Sequence, residues 1–213
     1  MKILFQQDEF FVLQKPSGVS VHNEPGYDII SLFTTHFSSP VYAIHRLDRP
    51  TSGVLLCTTH VRMVPVLQKA LQNSMKQYRA VVRGNLSVQS GHWKYPISDK
   101  SEGRRNPQGK KQHRKSAHTA YEVLLDNQYF SVLSLTLHTG RQHQIRKHCV
   151  LAGHEIVGDT RYGDVRYQKN MKDRYNHNTL FLHAERLRFT AFGKEYDFTC
   201  KPVKWNVLGI SGL

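Results

Sequence analysis

Acidic residues are scarce in this chain. Its 213 residues include 16 Asp or Glu against 30 Lys or Arg, a formal net charge of +14 and a pI near 9.8. A field of that sign attracts polyanions, nucleic acid ahead of an anionic membrane surface. Cysteine is scarce too. Cys57, Cys149 and Cys200 are far apart, odd in number and form no CxxC pair, which excludes a disulfide framework and a zinc ribbon. Reduced thiols and a cytoplasmic location are the expectation. No run approaches the roughly 20 apolar residues of a membrane span, so no membrane partner is expected. The opening "MKILFQQDEF" is too poor in apolar residues for a signal peptide. No P-loop, GxGxxG, GxSxG or HExxH occurs, so phosphoryl transfer, dinucleotide binding, serine acyl transfer and zinc proteolysis lose their usual markers.

What is present reads as α+β. "FFVLQK", "GVLLCTT", "QYRAVVRG", "TAYEVLL", "FSVLSLTLH" and "TLFLHAERLRFT" are strand-like, and "VPVLQKALQNS" has helical spacing with Pro65 in its first turn or marking a kink. Asp126-Asn127-Gln128 reads as a hairpin turn, after which Leu133, Leu135 and Leu137 share one strand face. Thr139 and Gln142 have capping-box spacing, which predicts a helix over 140–152 ending at Gly153. The predicted architecture has antiparallel strands and one central helix, in one domain over 1–213. From Ser98 to Ser116, "SDKSEGRRNPQGKKQHRKS" lacks any large apolar residue and carries strong positive charge. It predicts a long exposed loop able to contact phosphates through Arg104, Arg105, Lys110 and Lys111.

Three features invite chemistry. Asp48 stands between Arg46 and Arg49 in "HRLDRPTSGVLL", Tyr78 lies in "KQYRAVVRG", and Arg141, His143 and Arg146 crowd one predicted helix. The start of a helix attracts anions, so Arg141 and His143 are candidate phosphate contacts. His138, His143, His148 and His154 lack the i, i+4 spacing that aligns metal ligands on one helix face, and no metal site is expected from them.

These segments together resemble the RluA family of pseudouridine synthases. "HRLDRPTSGVLL" is similar to the family signature. "DEFFVLQKPSGVSVH", "KQYRAVVRG", "KSAHTAYEVL" and "TGRQHQIRKHCVLAGHEIVGDTRYGD" match further family segments in order, from Asp8 to Phe189. The resemblance implies a pseudouridine synthase fold, a mixed, mainly antiparallel sheet with flanking helices and a central active-site cleft, with no cofactor and no metal. It implies isomerisation of uridine to pseudouridine in RNA, with Asp48 as nucleophile, Tyr78 as the active-site tyrosine and Arg146 as the basic partner. It also implies that Arg46 enters the RNA as the target base flips out, with Arg49 contacting phosphate. Ionised carboxylates are competent nucleophiles, a nearby cation keeps them ionised, and base extrusion costs a few kcal/mol. Whether Asp48 attacks the ribose or the ring stays open. No S4-type RNA-binding domain is expected before the motifs.

Within the family, "LDRPTSG" and "GDTRYGDVR" are similar to the branch exemplified by tRNA pseudouridine synthase C. That makes tRNA the expected partner ahead of ribosomal RNA, bound by a monomer. A non-catalytic RNA-binding protein is the reading from another class. A metal-dependent nuclease would need a carboxylate cluster that the surroundings of Asp48 lack.

Overall fold

A computed structural model describes residues 1–176, 178–202 and 205. The chain divides into two compact units, one of Met1–Lys76 with His183–Pro202, the other built on Gln77–Leu182.

The first unit contains β1 (Lys2–Gln6), β2 (Phe11–Lys15), α1 (Ile29–Phe37), β3 (Tyr42–Ala43), β4 (Ser52–Thr58) and α2 (Met63–Ala70). The second begins along β5 (Met75–Arg83) and continues through β6 (Ser90–Trp93), β7 (Ile97–Ser98), β8 (Arg114–Lys115), β9 (Thr119–Asp126), β10 (Phe130–Leu137), α3 (Gln144–Leu151) and α4 (Val165–Tyr175). The chain then returns to the first unit through the hairpin of β11 (Leu182–Ala191) and β12 (Lys194–Thr199). The class is α+β, with mainly antiparallel pairing; β4 and β11 run parallel.

In the first unit the strands run in the order β1, β2, β4, β11, with β3 on β4 and β12 on β11. Phe10, Val12, Val54, Leu56, Leu67, Leu187 and Phe189 form its core. Phe11 carries α1 by packing its ring against the tilted rings of Phe33 and Phe37. The periodicity used to find helices missed α1, which is set instead by its cap: the Asp28 carboxylate accepts from Ser31 N at 2.8 Å. Gly53, inside the "TSGVLL" segment, has φ +124°, and a Cβ there would sit 2.2 Å from the Ala184 carbonyl oxygen. Glycine is therefore what lets β4 approach β11 directly after the Asp48 turn.

In the second unit the order is β5, β10, β9, β6, over a core that includes Val81, Trp93, Leu133, Leu135, Ile145, Cys149 and Phe181. The predicted hairpin forms, with Asn127 accepting from Tyr129 N and Phe130 N through its side chain. The one-sided reading of β10 does not hold. Val132 and Ser134 are buried as well as Leu133 and Leu135, so both faces of β10 are covered. Ser134 is satisfied there by Gln77 Nε2 at 2.8 Å.

Two further expectations are corrected. Helix α3 begins at Gln144, not at residue 140, because His143 takes a left-handed conformation at φ +56°. Gln144, not Gln142, closes the turn: its Oε1 accepts from Thr139 Oγ1 at 2.7 Å and from Arg141 N at 3.1 Å. The 98–116 segment is not a bare loop. Its ends pair as β7 and β8, and buried Lys147 donates to the carbonyls of Ser98 and Lys100, both at 2.8 Å. The lysine anchors the segment's start from α3.

Candidate active site

Asp48 sits in the turn between β3 and β4, closed by Thr51 N donating to Asp48 O at 3.0 Å. Leu47 beside it is buried and Asp48 itself half-buried, while Arg46 and Arg49 are exposed. The turn is fastened from beneath by Lys15. Its side chain is wholly buried, and its Nζ donates to the carbonyls of Pro16 at 2.9 Å, Val19 at 2.6 Å and Arg49 at 3.1 Å. Ser17 Oγ donates to Pro50 O at 2.7 Å, and Gly18 N to Arg49 O at 2.9 Å. The "QKPSGVSV" segment is thus the floor under the "HRLDRP" turn. Burial pulls the Lys15 ammonium down to about 7; the charge of Asp48 opposes that and Arg49 reinforces it. Three carbonyl acceptors match the three donors of the charged amine.

His45, at the head of the turn, accepts from Leu56 N at 3.2 Å through Nε2. Desolvation pushes it down to about 3, with Lys76 adding in the same direction. It is therefore a neutral structural pin of the turn. Arg49 donates through Nε to Gly18 O and pairs with Glu24 at 3.0 Å.

In the second unit Tyr78 is half-buried on β5 and packs against the core. Arg146 is buried on α3 and held by a residue that sequence reasoning missed: Nε and Nη2 form a two-pronged pair with the Asp159 carboxylate, both at 2.8 Å. Asp159 is itself buried and also accepts from Arg161 N and Tyr162 N. The turn that presents it depends on Gly158, at φ +82°, where a Cβ would meet the Thr179 carbonyl oxygen at 2.1 Å. The Tyr162 ring lies 5.2 Å from the guanidinium carbon, and its hydroxyl meets His143 Nδ1 at 2.8 Å. The Asp159 carboxylate takes two of the five guanidinium donors and fixes the plane of the rest. "GDTRYGD" was the signal for Asp159 and Tyr162, but spacing alone assigns them no partner.

The remaining candidates are scattered. Arg141 reaches Asp99 at 3.4 Å and Ser116 O at 3.3 Å, and Lys115 shares Asp99 at 3.1 Å. Arg104 donates to Thr160 O and, with Arg105 and Arg161, lines an open groove. Lys110 and Lys111 are exposed. Among the histidines, His148 is taken by Thr119 and Tyr95 and His154 by the Arg83 carbonyl. Asp48 thus falls in the first unit and Tyr78, Arg146 and the 98–116 segment in the second.

The model for the RNA pseudouridylate synthases matches residues 9–150, more than half of the chain. The chain belongs to that family, and it is an isomerase that converts uridine in RNA to pseudouridine. It is 34% identical to tRNA pseudouridine synthase C of Pasteurella multocida, over 89% of this chain and 86% of that one. It is 32% identical to ribosomal large subunit pseudouridine synthase C of Haemophilus ducreyi, over 88% of this chain and 60% of that one. The fold is similar to that of human RNA pseudouridylate synthase domain containing 4, with a TM-score of 0.79 and 25% identity over 96% of this chain and 90% of that one.

Proposed function

We propose that the chain modifies a uridine of tRNA, acting as a monomer in the cytoplasm. In this reading Asp48 is the nucleophile, Tyr78 packs on the uracil, and Arg146 keeps the nucleophile ionised. Arg46 fills the gap left by the flipped base, while Arg49, Arg141, His143 and the 98–116 segment track phosphates. The residue types suit these tasks. A carboxylate can add to an electrophilic carbon and leave again. A guanidinium held in plane by Asp159 cannot lose its charge. An exposed arginine can stack where a base has left, offsetting part of the few kcal/mol that extrusion costs.

The observation that carries the choice of RNA is extent. The similarity covers 85% and 86% of the lengths of the tRNA enzymes of Haemophilus ducreyi and Pasteurella multocida, but 55% of that of Pectobacterium carotovorum, against 60% for the ribosomal enzyme. Ribosomal RNA is the second reading, favoured by that enzyme's comparable identity of 32%. A pseudouridine map of total RNA from cells with and without the protein decides between them. A site lost from tRNA alone supports the proposal. A site lost from ribosomal RNA, with tRNA unchanged, overturns it.

A further inference from the structure

Three histidines outside the residues just described meet at one end of the second unit's sheet. His92 lies on β6, His118 just before β9 and His138 just after β10. The strand register explains the meeting. Trp93 pairs with Thr119, and Leu137 pairs with Thr119 from the other side. His138 therefore falls opposite His118, and His92 opposite Ala120. Alternation along the strands then puts all three side chains on one sheet face. His138 N donates to His118 O at 3.1 Å, which locks the two backbones together.

The ring nitrogens converge. His118 Nε2 lies 2.9 Å from His92 Nδ1, the His118 and His138 rings stack at 4.2 Å, and one nitrogen of each ring lies within 4.8 Å of the others. Tetrahedral coordination by imidazoles at about 2.0–2.1 Å brings ligand nitrogens to about 3.3 Å apart. The closest pair already stands near that spacing. The exposed rings of His92 and His138 need only side-chain rotation to complete it.

We infer that His92, His118 and His138 form a binding site for a borderline divalent transition-metal ion, Zn²⁺ by preference, with solvent completing the shell. Three neutral imidazoles suit Zn²⁺, Cu²⁺ or Ni²⁺ and do not suit Mg²⁺ or Ca²⁺, which take oxygen ligands. The bound ion ties together β6, the start of β9 and the end of β10. His118 stands two residues beyond Ser116, and His138 three before Arg141. The ion therefore braces the stem of the basic 98–116 segment from the side opposite Lys147 in sequence. This role is structural and independent of which RNA the enzyme modifies.

Titration of the tag-free full chain with Zn²⁺ by calorimetry tests the site, with far-UV circular dichroism confirming that each variant is folded. Wild type binds one ion and melts at higher temperature with Zn²⁺ than with chelator. His92→Asn and His138→Asn each weaken binding at least about 10-fold, and the double variant loses both the binding and the thermal shift. Co²⁺ in place of Zn²⁺ gives a visible absorption band in wild type alone. The three cysteines do not compete, being buried with their thiols pushed up. Unchanged Zn²⁺ affinity in the folded double variant overturns the inference, as does a wild type that binds no ion.

Discussion

At the scale of single residues, the decisive contrast is between Asp48 and Asp159. Both are carboxylates in family segments, but their settings differ. Asp48 is half-buried in a turn, whereas Asp159 is buried and fully engaged with Arg146 and two backbone amides. Their removal should therefore fail in different ways. Asp48→Asn is expected to fold as wild type and bind RNA, yet lose roughly 10³-fold or more in turnover, the scale for a covalent nucleophile. Single-turnover kinetics with purified protein check this, and a near-normal rate would remove Asp48 from the role. Asp159→Asn leaves the Arg146 guanidinium buried beside a neutral amide. It should destabilise the fold by about 3–5 kcal/mol, the usual result of breaking one side of a buried pair. Urea denaturation measures the loss. Combining it with Arg146→Met should recover part of it, since the stranded charge is then gone.

At the scale of elements, the 98–116 segment shows what composition can and cannot say. A run without large apolar residues has no core of its own. Here the anchoring comes from polar contacts: Lys147 and Arg161 reach it from outside, on the carbonyls of Ser98, Lys100, Ser101 and Glu102, and its own Asp99 is shared by Lys115 and Arg141. Arg105, Lys110 and Lys111 lie exposed on the segment's surface. Replacing these three by Ser should make the slope of log K against log salt for RNA shallower by up to about 3 units, taking roughly 0.9 per phosphate as on duplex DNA. Target and non-target RNA should be affected alike, because phosphate contacts carry no sequence. Binding across a salt series reads this directly. An unchanged slope would mean that the segment does not touch RNA.

At the scale of the whole molecule, stability carries the mark of one buried amine. Lys15 has its folded pKa at about 7 against an ordinary 10.5. Below pH 7 the amine is charged in both states and the cost of burying it is present in full. Between pH 7 and about 10.5 the unfolded chain holds a proton that the folded chain releases, so this group's contribution to stability rises with pH. Lys15→Met lacks that slope. It should also be less stable at pH 7, because three buried carbonyls lose their donor. The gap in unfolding free energy between wild type and variant should therefore widen from pH 7 to pH 9. Denaturant titrations at several pH values test it, and parallel curves would place the amine's titration elsewhere.

Much of this protein can be read along the chain because much of it is local. The excess of basic residues, the Asp48 turn, the Asn127 hairpin and most strands depend on neighbours a few positions apart. So does membership of the RNA pseudouridylate synthases, since its motifs are contiguous. What needed the tertiary structure is set by burial and strand register, which act between distant residues. The Lys15 ammonium finds the Arg49 carbonyl 34 positions away, and Lys147 reaches 49 positions back to Ser98. The start of α3 moved because one residue, His143, took a left-handed conformation that a capping pattern cannot foresee. Histidines counted for helical spacing gave no metal site, while His92, His118 and His138 came together across three strands. A sheet joins residues by register, and register exists only once the strands have paired.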